Sequence, residues 1–197
     1  MSMIGNLARI PEATRQSLHQ EPSRITQFIY PDAIAKESKS ETGILGRFFN
    51  RKQPKQEAPP SQTESLPPQD AMDLDKAWHG LHFLFTGSDW SGDFPQGFLV
   101  SCGEPVGDVD VGYGPARSFS SAEVEEIARF LEGLDEATLR HRLDPKRMTE
   151  LEIYPSIWAD DVNLDEEWEY LLDGLRRMKQ FVREAASRKM ALLIYLN

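Results

Sequence analysis

MALLIYLN, residues 190–197, is an unbroken apolar run. With no polar residue until Asn197, it reads as a strand buried on both faces rather than an amphipathic one. A central strand needs neighbours and a cover, and the rest of the chain supplies both. At the other end, MIGNLARI (3–10) is a short apolar-rich run stopped by Pro11, consistent with a second strand. Most of the intervening sequence has helical periodicity. In DLDKAWHGLHFLFTG (73–87), Leu74, Ala77, Trp78, Leu81, Leu84 and Phe85 form one stripe, and Gly87 stands where a left-handed cap is wanted. Ser120 with Glu123 makes a capping box, and Asp135 and Asp144 read as N-caps of two short helices. From Leu164 a long helix repeats apolar residues through Trp168, Leu171, Leu175, Met178, Val182 and Ala185. GFLVS (97–101) is read as a further short strand. The pattern predicts an α+β, helix-rich single domain over 1–197, with a small sheet that includes the N- and C-terminal strands.

Residues 36–70 break the pattern. They are rich in Pro, Gln, Ser, Lys and Glu, a composition that buries too little apolar surface to offset the entropy of ordering, and they are expected to be a disordered insertion. The segment holds six basic and five acidic residues, so the acidity of the chain, −10 overall, resides in the folded part. Its 43–52 island joins Ile44, Leu45, Phe48 and Phe49 to three basic residues, and reads as a sticky stretch of linker, against a docking or membrane-surface motif.

The acidic balance argues against nucleic acid as a partner, because neutralising phosphates requires a basic surface, and favours a basic protein. The single cysteine, Cys102, excludes an internal disulfide and fits a reducing cytoplasm. No signal-peptide pattern and no apolar run long enough to span a membrane occurs.

Five ordered stretches together carry a resemblance: MSMIGNLARI, LDKAWHGLHFLFTG, GEPVGDVDVGYGPARSFS, LDPKRMTELEIYPSIW and LLIYLN. The chain resembles the YfbM-like family of bacterial proteins, a domain of unknown function. The resemblance implies a compact cytoplasmic α+β domain and brings no catalytic residues with it.

Candidate chemistry is sparse. DVDVGYGPARSF (108–119) places Gly112, Tyr113 and Gly114 just before Arg117, yet it has no phosphate-loop lysine and no third glycine of a dinucleotide fingerprint. Asp108 and Asp110 would repel phosphate. The stretch reads as a turn whose Arg117 pairs with a carboxylate, against a ligand loop. Asp75, His79 and His82 share one flank of a helix, but they lack a fourth ligand, so no metal and no cofactor is expected. No nucleophile elbow occurs, and Cys102 carries no nucleophile signature. Glu152 and Tyr154, beside Pro155, are placed to project into a cleft as an acid and a hydrogen-bond donor.

Two readings follow. One is a non-enzymatic cytoplasmic protein-binding domain, an acidic antidote to a basic toxin, with Trp90 and Phe94 as partner anchors because neither belongs to a periodic core face. The other is a small-molecule-binding or hydrolytic enzyme with a pocket built from His79, His82, Tyr113, Arg117, Glu152 and Tyr154.

Overall fold

A computed structural model describes residues 2–31, 65–158 and 163–197. In chain order the elements are β1 (Gly5–Ile10), α1 (Glu12–Gln20), α2 (Ile25–Ile29), β2 (Ala71–Asp73), α3 (Ala77–Thr86), β3 (Glu104–Asp110), β4 (Pro115–Phe119), α4 (Ser121–Glu132), α5 (Glu136–Arg142), α6 (Pro145–Glu150), α7 (Leu164–Ser187) and β5 (Ala191–Leu196). The five strands form one antiparallel sheet in the order β2-β1-β5-β4-β3. The fold is α+β.

The apolar run 190–197 contains strand β5, at the centre of the sheet, paired along its whole length with β1 from Gly5↔Leu196 to Ile10↔Ala191. Side chains alternate across a strand, so its residues divide between two cores. Leu192 and Ile194 join the larger core, with Trp78 and Leu81 of α3, Ile127 of α4 and Leu175 and Met178 of α7. Ala191, Leu193 and Tyr195 join a thinner one, with Leu18 of α1 and Ile25, Phe28 and Ile29 of α2. Helices therefore cover both faces, which is why an antiparallel strand can be apolar throughout.

The caps are where the sequence places them. Ser120 and Glu123 form a full capping box, Asp135 and Asp144 accept from Thr138 N–H and Arg147 N–H, and Gly87 ends α3 at φ 72°. Two expectations need correction. GFLVS is not a strand. Its Ser101 N–H returns to Gly97 O at 2.9 Å and its Phe98 N–H to Pro95 O, giving consecutive tight turns that bury Phe98 and Leu99 without a pairing partner. Strands β3 and β4, which have no strong apolar signature, form the hairpin instead. β3 is an edge strand whose exposed residues include Glu104, Pro105, Asp108 and Asp110, the residue types that keep an edge from pairing further.

The second correction is a boundary. Of the insertion expected over 36–70, residues 36–64, including the 43–52 island, lie outside the described residues. Residues 65–70 belong to the folded body. Leu66 N–H donates to Phe28 O at 2.9 Å, and buried Asp70 accepts from Arg9 Nε at 2.7 Å and from Arg188 at 3.3 Å. Arg9 also reaches Glu184 of α7 at 2.6 Å and lies over the Phe181 ring. A polar composition hides this anchor, because one leucine and one aspartate carry it.

Candidate functional site

Helix α3 carries Trp78 and His79, and their rings stack with centroids 4.7 Å apart. His79 is buried, and both of its ring nitrogens are engaged. The Tyr154 N–H lies 2.9 Å from Nδ1, and Asp89 O lies 2.9 Å from Nε2. An amide N–H only donates, so Nδ1 accepts and Nε2 carries the proton. Burial holds the ring's pKa below its ordinary value, which keeps it neutral. His79 is thus a strut that pins the 88–90 loop on one side and the 153–156 segment on the other.

Between those two segments lies a cavity of about 400 Å³, lined by Met3, His79, Trp90, Thr149, Glu152, Tyr154 and Ser156. Its floor is aromatic: Trp90 is tilted over His79 at 4.7 Å, and Tyr154 stacks beside Trp78 at 5.9 Å. The Tyr154 hydroxyl accepts from Met3 N–H at 3.0 Å and bonds Ser2 Oγ at 3.2 Å. These bonds, that to Ser2 first, lower the phenol pKa. On the rim, Glu152 and Ser156 sit at φ 52° and 64°, in the left-handed region that side chains avoid. Non-glycine strain of this kind concentrates at functional segments.

A second cavity of about 520 Å³ adjoins the first through Tyr154 and is lined by Asp75, Lys76, Tyr154, Pro155, Ile157, Glu167 and Tyr170. The Tyr170 hydroxyl donates to Asp75 Oδ2 and accepts from Lys76 N–H, both at 3.0 Å, and burial pushes its pKa up to about 12. Three of the four large exposed hydrophobic residues among those described, Trp90, Ile157 and Tyr170, stand at these two cavities. Glu152 and Glu167 form no ion pair among the described residues. Burial, with Glu166 nearby, raises the pKa of Glu167.

Of the six residues predicted to build one pocket, the structure brings together His79, Glu152 and Tyr154. The other three are elsewhere. His82, one turn along α3, is fully buried, and neither ring nitrogen finds a hydrogen-bond partner among the described residues. Burial drives its pKa down to about 4. Arg117 pairs with no carboxylate among the described residues, contrary to the sequence reading. Its guanidinium donates to the carbonyls of Phe98, Cys102 and Leu99, closing the turns at 97–102, and burial lowers its pKa to about 10. Tyr113 is exposed at the tip of the β3–β4 hairpin, where its N–H donates to Leu196 O.

The hairpin tip also settles the glycine loop. Asp110 Oδ1 accepts from Gly112 N–H at 2.8 Å and from Gly114 N–H at 3.0 Å. The backbone donors that a phosphate would need are taken by the chain's own carboxylate, and the loop is a turn. Of the two expected anchors, Trp90 is 53% exposed, whereas Phe94 is half-buried and stacks on Phe119 at 6.2 Å as a cover for the core. Asp75 precedes α3, at φ 48°, and bonds Tyr170 instead of sharing a flank with the histidines. Among the described residues, no three His, Cys, Asp or Glu side chains gather as a metal site would require.

Sequence reasoning missed Ile157 and Tyr170. Tyr170 left a signal, since it falls off the apolar stripe of α7 between Trp168 and Leu171. Ile157 left none, lying in an aperiodic stretch after Pro155.

A family model described as a domain of unknown function (DUF1877) matches residues 1–195. A solved structure, that of a protein of unknown function, YfbM from Escherichia coli, is similar over 98% of this chain and 99% of that one, with a TM-score of 0.65 and 18% identity. At that identity the likeness concerns the fold. The curated proteins contain no match to this chain.

Proposed function

The chain belongs to the family described as a domain of unknown function (DUF1877), and from that premise we propose that it is a non-enzymatic, cytoplasmic protein-binding domain that takes a basic partner on the face around Tyr154. One observation carries the reading. Trp90, Ile157 and Tyr170 are exposed around two adjoining cavities, and the charged groups lining those cavities are Asp75, Glu152 and Glu167 against Lys76 alone. An apolar centre with exposed aromatics and a charged rim is the anatomy of a contact surface. The rim selects the partner's charge, and the aromatic residues supply the binding energy.

The chemistry of the same site supports binding over turnover. A general base must be free to take a proton, and His79 has both nitrogens committed. His82 is sealed in the core, and Arg117 is engaged by three carbonyls. The cytoplasmic assignment rests on the free Cys102, and no helix among the described residues is long and apolar enough to cross a membrane. An antidote to a basic toxin would use this face and this charge preference.

Affinity capture from the source cell with the wild type, Trp90→Ala and Ile157→Glu tests the proposal. The wild type should retain a basic protein that both folded variants lose, with an association rate that falls as salt rises. Equal retention by all three proteins would overturn the assignment of this face.

A further inference from the structure

We propose that the cavity lined by Trp90 and Tyr154 seats a single arginine side chain of the partner, an inference that rests on the protein-binding reading above. The walls are aromatic and uncharged: the half-exposed indole of Trp90, the phenol ring of Tyr154, and the imidazole of His79, held as one neutral tautomer by its two hydrogen bonds. The same cavity is lined by one carboxylate-bearing residue, Glu152, exposed and without an ion-pair partner among the described residues. Thr149 and Ser156 add hydroxyl groups at the rim, with Thr149 Oγ1 turned to Trp158 O at 2.7 Å.

These features select one chemistry. An anion would meet the carboxylate. A neutral apolar group would strip water from Glu152 and give nothing back. A cation gains from both the ring faces and the carboxylate. Among cations, the planar guanidinium lies flat on an indole while its N–H fork reaches a carboxylate with two parallel bonds, which a lysine ammonium cannot reproduce. A volume of about 400 Å³ suits one long side chain. The carboxylate is also presented from a fixed point. Glu152 is held at φ 52° by its N–H to Thr149 O at 3.1 Å, and the next residue donates to Met148 O at 2.9 Å. A backbone anchored in this way needs no reordering on binding.

The test uses the ¹⁵N-labelled full chain and the probe N-acetyl-arginine amide, with N-acetyl-citrulline amide as the uncharged control of the same shape. The arginine probe should shift the Trp90 indole N–H signal saturably. The citrulline probe should bind at least fivefold more weakly, and Glu152→Gln should weaken arginine binding at least threefold in an otherwise unchanged spectrum. Equal binding of the two probes, indifference to Glu152→Gln, or shifts centred away from Trp90 would each overturn the seat. The two readings also fail separately. A specific arginine titration with no captured partner sustains the seat and sinks the protein-binding role, whereas Trp90-dependent capture with a silent titration does the reverse.

Discussion

Segments 107–114 and 152–156 both leave the usual backbone regions, and they do so by opposite means. The first uses glycines at positions 107, 112 and 114, where positive φ costs no side-chain clash, and Asp110 then fills the nest that its amides create. The second has no glycine. Glu152 and Ser156 take the left-handed conformation themselves, and the segment is held in place by the Tyr154 N–H bond to His79 and by the Ile153 N–H bond to Met148 O. A glycine-rich loop advertises conformational freedom, and here that freedom serves a self-satisfied turn. The strained, glycine-free segment lines a cavity, and its geometry is imposed from outside.

Acid should separate the two segments most strongly. Burial lowers the folded-state pKa of His82 from near 6.5 to about 4, so as pH falls the unfolded chain takes up the proton first. Stability is therefore whole above pH 6.5 and is lost progressively down to about pH 4, at about 1.4 kcal/mol per pH unit and about 3 kcal/mol altogether. Urea melts across this window should show that loss, and His82→Leu should flatten it. Its neutral-pH stability should be preserved or improved, since an unpartnered polar ring gives way to an apolar side chain. Protonation of His79, which burial delays to below its ordinary 6.5, removes the acceptor for the Tyr154 amide, whose NMR signal should move. The Gly112 and Gly114 amides should hold until Asp110 protonates, below its ordinary 3.8, because their two hydrogen bonds stabilise its charge. A Tyr154 amide that stays fixed while the glycine amides move would invert the comparison.

Substitution in the glycine turn comes next in size. A Cβ on Gly112, at φ 147°, would stand 2.7 Å from both Leu196 O and the Cα of Asn197. Both are backbone atoms beside β5 and cannot swing away. Gly112→Ala should cost about 2–3 kcal/mol in chemical denaturation. A loss below about 0.5 kcal/mol would show that the hairpin tip gives way freely, and the turn would no longer count as rigid.

The smallest effect is expected at Glu152. Glycine there relieves about 1–2 kcal/mol of left-handed strain but adds about 0.5–1 kcal/mol of unfolded-state entropy. Glu152→Gly should therefore stabilise by about 0.5 kcal/mol, while weakening whatever binding depends on the carboxylate. Destabilisation by more than about 1 kcal/mol would mean that the side chain braces the fold, and the contrast between the segments would lose its basis.

Much of this molecule is legible in one dimension. An unbroken apolar run such as 190–197 must be covered on both sides, so MALLIYLN implies a central strand before any coordinate is known, and 3.6-residue stripes with Ser, Asp and Gly at their ends give the helices and caps. These signals are local, because burial period and capping depend on near neighbours in the chain. Edge strand β3 escapes them because only one of its faces meets the core, and Asp70 escapes because its partners, Arg9 and Arg188, are far away in sequence. The site divides in the same way. Residue type and position relative to the periodic core faces nominated His79, Trp90, Glu152 and Tyr154, but only packing decided that these four share a cavity, that Arg117 and His82 are withdrawn from it, and that Ile157 and Tyr170 extend it. Convergence of loops from distant parts of the chain is set by the stacking of α3 against α7 and the sheet. No periodicity in the sequence records where two aperiodic segments will meet.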